Sequence, residues 1–163
     1  MAIPLRIKKN KIIPRILPTL TLSSIEEAKK VYAVLQAANI NSIEVTLRPS
    51  VSDEAIEFLA NQPEINLGLG TVLNVTQLLK FKSLNICYAV SPGFNEDVHD
   101  YCKKEEIAYI PGVETASEVM KMMNFGLNQL KFFPAEQSGG PEKLKAFYAV
   151  FPSINFMCTG GID

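Results

Sequence analysis

A single lysine stands inside an apolar run at Gln129-Leu130-Lys131-Phe132-Phe133-Pro134-Ala135-Glu136. If that run is a central strand, water is largely excluded from the amine. Desolvation then favours the neutral form, which can attack a carbonyl carbon. Lys131 is thus a candidate Schiff-base nucleophile. The competing reading is a lysine at a strand end whose ammonium snorkels to water. A second set of polar residues lies in Ser42-Ile43-Glu44-Val45-Thr46-Leu47-Arg48. A period of two puts Glu44, Thr46 and Arg48 on one face and Ile43, Val45 and Leu47 on the other. A glutamate among apolar neighbours is suited to moving protons, and an arginine near a strand end can grip a carboxylate or phosphate bidentately. A purely structural ion pair, Glu44 with Lys131 or with Arg48, accounts for the same residue types.

Both runs need a scaffold that buries them. Short β-rich runs are expected at residues 11–16, 42–47, 66–72, 86–91, 107–111, 129–133 and 155–159, each separated by enough chain for a crossover helix. Helix starts are marked by capping-box spacing at Ser24 with Glu27, Asn74 with Gln77 and Thr115 with Glu118, and by Pro141 in a first turn. Val31, Leu35 and Ala38, and then Ile56, Leu59 and Ala60, form the apolar stripes of helices that cover a sheet. The repeated strand-helix pattern with near-continuous apolar strands requires a parallel sheet, open or closed as a (β/α)₈ barrel.

The strand ends favour the barrel. Ser91-Pro92-Gly93, Pro111-Gly112 and Pro134-Ala135-Glu136 punctuate the carboxyl ends of strands, where barrel loops build active sites. Gly68 and Gly70 lie within a strand run rather than opening a helix. They therefore point to space inside a barrel rather than to dinucleotide binding.

Composition sets the bounds on function. The 163 residues are 47% hydrophobic, enough for one sizeable core and a single domain. Sixteen Lys+Arg against seventeen Asp+Glu give a net charge of -1, which argues against nucleic acid or an anionic membrane as partner. The short basic run at Arg6, Lys8, Lys9 and Lys11 adjoins no long apolar segment, so a cytoplasmic protein is expected. Cys87, Cys102 and Cys158 lack CxxC spacing and His99 is the only histidine, so neither a structural metal nor a disulfide framework is implied.

Six blocks carry a resemblance. Glu44-Val45-Thr46-Leu47-Arg48, Gly70-Thr71-Val72-Leu73, Val90-Ser91-Pro92-Gly93, Ile110-Pro111-Gly112, Lys131 to Glu136 and Thr159-Gly160-Gly161-Ile162 occur in an order and spacing that resembles the 2-keto-3-deoxy-6-phosphogluconate aldolase family. Some members of that family also act on 4-hydroxy-2-oxoglutarate. The resemblance runs from about Ile12 to the last residue. It implies a class I aldolase on a (β/α)₈ TIM barrel, trimeric, needing no cofactor and no metal, and acting on a keto acid with a pyruvate moiety. It makes Lys131 the Schiff-base lysine and Glu44 the general acid/base. It further implies that Arg48 and Thr71 hold the pyruvyl carboxylate, that Thr159, Gly160 and Gly161 lie along the substrate, and that Pro92 and Phe133 line its pocket. Thr71 and Phe133 read equally well as a loop-start hydroxyl and barrel packing.

Two features depart from the family pattern. The chain ends at Ile162-Asp163, just after the seventh expected strand, so residues 1–163 read as one incomplete barrel domain with about seven βα units. On that expectation the loop after an eighth strand, which helps bind phosphate in such barrels, is missing. The alternative function is then a truncated barrel fragment with little turnover, acting as a binding or assembly partner. At the other end, Arg15 occupies a position where the family carries an aliphatic residue.

Overall fold

A computed structural model of the chain describes Pro14 and residues 16–162. Eight strand segments alternate with six helices. In chain order they are β1 (Thr19–Leu20), α1 (Ile25–Ala37), β2 (Ser42–Thr46), α2 (Asp53–Ala60), β3 (Asn66–Gly70), α3 (Val75–Leu79) and β4 (Tyr88–Val90). There follow α4 (Glu96–Lys104), β5 (Ala108–Ile110), β6 (Gly112–Val113), α5 (Ala116–Asn124), β7 (Gln129–Phe132), α6 (Gly140–Val150) and β8 (Asn155–Cys158). All strand pairs are parallel, in the order β1 to β5 and then β6 to β8.

The two sheets form one wall joined at Pro111. A single strand at 107–111 is what the sequence predicts, but the backbone makes two short segments there. Proline has no N–H, so the ladder from β4 ends at the bond from Ser91 N to Ile110 O, 3.2 Å. The Pro111 carbonyl then accepts from Lys131 N at 2.9 Å and passes the pairing on to β7. The first strand is displaced as well. Most of the predicted segment 11–16 lies outside the described residues, as does Arg15, and Pro14 and Ile16 are not in a strand. The strand that pairs with β2 is Thr19–Leu20, in register with Glu44 and Val45, with Pro18 O accepting from Glu44 N at 2.9 Å.

The helices begin where local hydrogen bonding demands. Asn74 and Gln77 at α3, and Thr115 and Glu118 at α5, close reciprocal capping boxes; Ser24 caps α1 through Glu27 N, and Pro141 sits in the first turn of α6. Strand side chains alternate as a two-residue period requires. Ile43, Val45, Leu67 and Leu69 face outward against Leu35, Ile56, Leu59 and Val98 of the helices. Leu130 and Phe132 likewise pack against Val119, Met122 and Phe147. The intervening residues Glu44 and Lys131 are left to the inner face, with Tyr88, Val90, Ile110 and Met157 forming a small apolar cluster there.

Candidate active site

Glu44 sits at the middle of β2 and is fully buried. Among the described residues neither carboxylate oxygen makes a well-formed hydrogen bond, although the Thr19 hydroxyl comes close enough to favour the charged form. The space it occupies exists because β3 carries glycine at two successive inward positions, Gly68 and Gly70. A Cβ on Gly70 would overlap the Glu44 carboxylate, and one on Gly68 would overlap the Tyr88 ring. The two glycines therefore do leave room inside the barrel, as their place in a strand run suggests. Burial pushes the Glu44 carboxyl up from its ordinary range, while Lys131 and the Thr19 hydroxyl pull in the opposite direction.

Lys131 is the counterpart on β7, paired with Gly112 on one side and Met157 on the other. It is only 8% exposed, so it does not snorkel. Its Nζ lies 4.8 Å from the centroid of the Phe133 ring, a cation–π distance. Burial pushes its amine down, the Glu44 charge raises it, and Arg48 lowers it again. A carboxyl driven toward its neutral acid and an amine driven toward its neutral base thus face one another across a water-poor interior. Burial thus brings the proton affinities of the two groups closer together than they are in water.

The remaining expected residues gather at one rim, just beyond the carboxyl ends of the strands. Thr71 follows β3 with φ 58°, a left-handed conformation that costs a β-branched residue about 1–3 kcal/mol. It is held there by flanking bonds, Leu47 N to Gly70 O at 2.9 Å and Val72 N to Val90 O at 3.0 Å. Pro92 is half-buried after β4. Thr159 follows β8 with a buried, unpartnered Oγ1. The turn after β7 is stitched to the same loop by Ala135 N to Thr159 O at 2.8 Å and Glu136 N to Gly160 O at 3.0 Å. Gly160 packs against the Phe133 ring, so the Lys131 block and the Thr159-Gly160-Gly161 block form one wall.

Two placements differ from simple alternation. Arg48 lies past the end of β2 and is exposed; its backbone turns through bonds from Arg48 N to Thr46 O and from Val51 N to Arg48 O, both 2.9 Å. It acts on Lys131 from the rim rather than from inside the barrel. Thr46 is buried but engaged with Thr21, the two hydroxyls 2.5 Å apart. Tyr88 was not singled out by sequence reasoning because an apolar strand carries tyrosine readily. Its buried hydroxyl, also unpartnered among the described residues, places it with the site.

Comparisons with known proteins bear on the family and the fold. A family model described as KDPG and KHG aldolase matches residues 6–163. The 2-dehydro-3-deoxy-phosphogluconate aldolase of Pseudoalteromonas atlantica is 38% identical over 149 residues, covering 91% of this chain and 69% of that protein. The KHG/KDPG aldolase of Escherichia coli is 37% identical over 149 residues, covering 91% of this chain and 70% of that protein. Among solved structures, a KDPG aldolase from Legionella pneumophila, with pyruvate captured at low pH as a covalent carbinolamine, superposes with a TM-score of 0.83. It is 38% identical, over 90% of this chain and 71% of that one. The fold is therefore the TIM barrel of the class I aldolases. The chain belongs to the KDPG and KHG aldolase family.

Proposed function

We propose that this chain is a Schiff-base-forming aldolase. Its reaction is cleavage of 2-keto-3-deoxy-6-phosphogluconate to pyruvate and glyceraldehyde 3-phosphate, with 4-hydroxy-2-oxoglutarate, giving pyruvate and glyoxylate, as a second substrate. The observation that carries this reading is the buried Lys131 amine, pushed toward its neutral form inside a barrel where Glu44 is the other buried side chain among the aspartates, glutamates, lysines and arginines of the described residues.

The neutral amine of Lys131 attacks the C2 ketone, and Glu44 delivers the proton with which the carbinolamine hydroxyl leaves as water. The resulting iminium accepts the electron pair when the C3–C4 bond breaks. Glu44 takes the proton from the C4 hydroxyl as the aldehyde departs and returns one to C3 of the enamine. Hydrolysis then frees pyruvate and Lys131. Arg48 and Thr71 hold the pyruvyl carboxylate; Thr159 and the Gly160-Gly161 backbone run along the substrate; Pro92 and Phe133 line its pocket. The rim position shared by these residues supports the assignment, since they all follow strands at their carboxyl ends. Residues 1–163 act as one domain, a cytoplasmic enzyme of the Entner-Doudoroff pathway that works as a homotrimer.

Incubation with pyruvate and borohydride tests the reading directly. Reduction converts an imine to a stable secondary amine, and peptide mass spectrometry locates it. An adduct confined to Lys131, and lost in Lys131→Met, is expected. A folded protein that gains no adduct would overturn the assignment.

A further inference from the structure

Tyr88 supplies a group that the mechanism above does not use. Its side chain leaves β4 on the inner face, and Tyr88, Gly68 and Glu44 occupy one register row across β4, β3 and β2. The ring edge formed by Cδ2, Cε2 and Cζ stands over Gly68, one strand across from its own backbone. Strands lie about 4.8 Å apart, so a ring whose Cζ has reached Gly68 carries its hydroxyl on toward β2 and Glu44. The Glu44 carboxylate lies over Gly70, the next inward position of the same strand. The phenol oxygen and both carboxylate oxygens are buried, and none makes a well-formed hydrogen bond among the described residues. Buried polar groups are rarely left without a partner, and these three atoms belong to side chains that stand over neighbouring glycines.

We propose that Tyr88 is a positioning residue for Glu44: its phenol donates, through one shared water, to the Glu44 carboxylate and holds it in the ionised, proton-accepting form. The inference rests on the aldolase reading above. Water-mediated bonds of this kind are nearly as strong as direct ones and suit a site that exchanges water during its reaction. The phenol is well fitted to the task. Burial, then the Glu44 and Cys87 charges, push its pKa upward, so it stays protonated and keeps a hydrogen to donate. Among the described residues the groups facing Glu44 are Lys131 from β7, Tyr88 from β4 and the Thr19 hydroxyl from β1. Arg48 reaches Glu44 only through its effect on Lys131.

A donor to a carboxylate favours the charged form, so removing it raises the pKa of Glu44. The readout is the pH profile of methyl-proton exchange of pyruvate in D₂O, which requires both the Lys131 imine and a base to move the proton. Tyr88→Phe keeps the ring over Gly68 and should move the acid limb of that profile up by about one pH unit. Site-specific replacement of Tyr88 by 3-fluorotyrosine, a more acidic and stronger donor, should move the limb the other way; this arm also decides the matter if Tyr88→Phe fails to fold. An acid limb that stays in place in a folded variant would overturn the role of Tyr88 while leaving the aldolase reading intact. An unsubstituted protein that traps no pyruvate on Lys131 would overturn both.

Discussion

The Glu44 carboxylate rests on the α-carbon of Gly70, two positions along β3 from Gly68, its own register partner. The Glu44 side chain is thus bent toward the carboxyl ends of the strands, the rim where Thr71 and Arg48 sit. Any side chain at position 70 competes for the volume the carboxylate fills.

Gly70→Ala should therefore disable proton transfer more than it disables the nucleophile. The new Cβ forces Glu44 to another rotamer, and overpacking of this kind costs about 1–3 kcal/mol of stability. A displacement of about 1 Å can cost ~10²-fold in rate. Borohydride trapping at Lys131 should persist while pyruvate methyl exchange collapses; equal loss of both would mean that Gly70 supports the fold and not Glu44 in particular.

Glu44→Gln separates the acid/base from the amine it influences. Turnover should fall by ~10²–10⁴-fold, the usual contribution of a positioned acid/base. The Glu44 charge raises the pKa of Lys131 against the effect of burial. Its removal lets the amine fall further, so the pH midpoint for imine trapping should move to lower pH. A midpoint that moves to higher pH would contradict the electrostatic coupling between the two residues.

Arg48→Met should shift the same midpoint the opposite way, because the guanidinium lowers the Lys131 amine. Arg48 is exposed, so the shift should shrink between low salt and 1 M salt, where the Debye length is about 3 Å. KM for pyruvate in the exchange assay should also rise if Arg48 holds the carboxylate. Unchanged KM with a shifted midpoint would leave Arg48 an electrostatic role only.

Thr115→Ala offers a contrast far from the chemistry. The Thr115 hydroxyl accepts from Glu118 N at 3.3 Å, and the Glu118 carboxylate accepts from Thr115 N at 2.8 Å. Loss of such a cap costs about 1 kcal/mol and lowers Tm by a few degrees. Thermal unfolding should register this change, and the trapping profile of Lys131 should not move.

The local sequence was enough to specify four of the six described helix starts, the period-two strands and the candidacy of Glu44 and Lys131 for the chemistry. Each of these follows from short-range rules: a capping hydrogen bond spans three residues, and alternation along a strand separates Lys131 from Leu130 and Phe132. Tertiary structure decided the rest. The first strand lies at Thr19–Leu20 because the Glu44 backbone selects its partner there, and the fifth strand divides because the Pro111 carbonyl is claimed by Lys131 N. Arg48 leaves the inner face because the backbone turns after Thr46. Whether Tyr88 would be ordinary barrel filling or a neighbour of Glu44 depended on β3 presenting glycine in the row between them. Strand register joins residues far apart in the chain, and no local pattern encodes it.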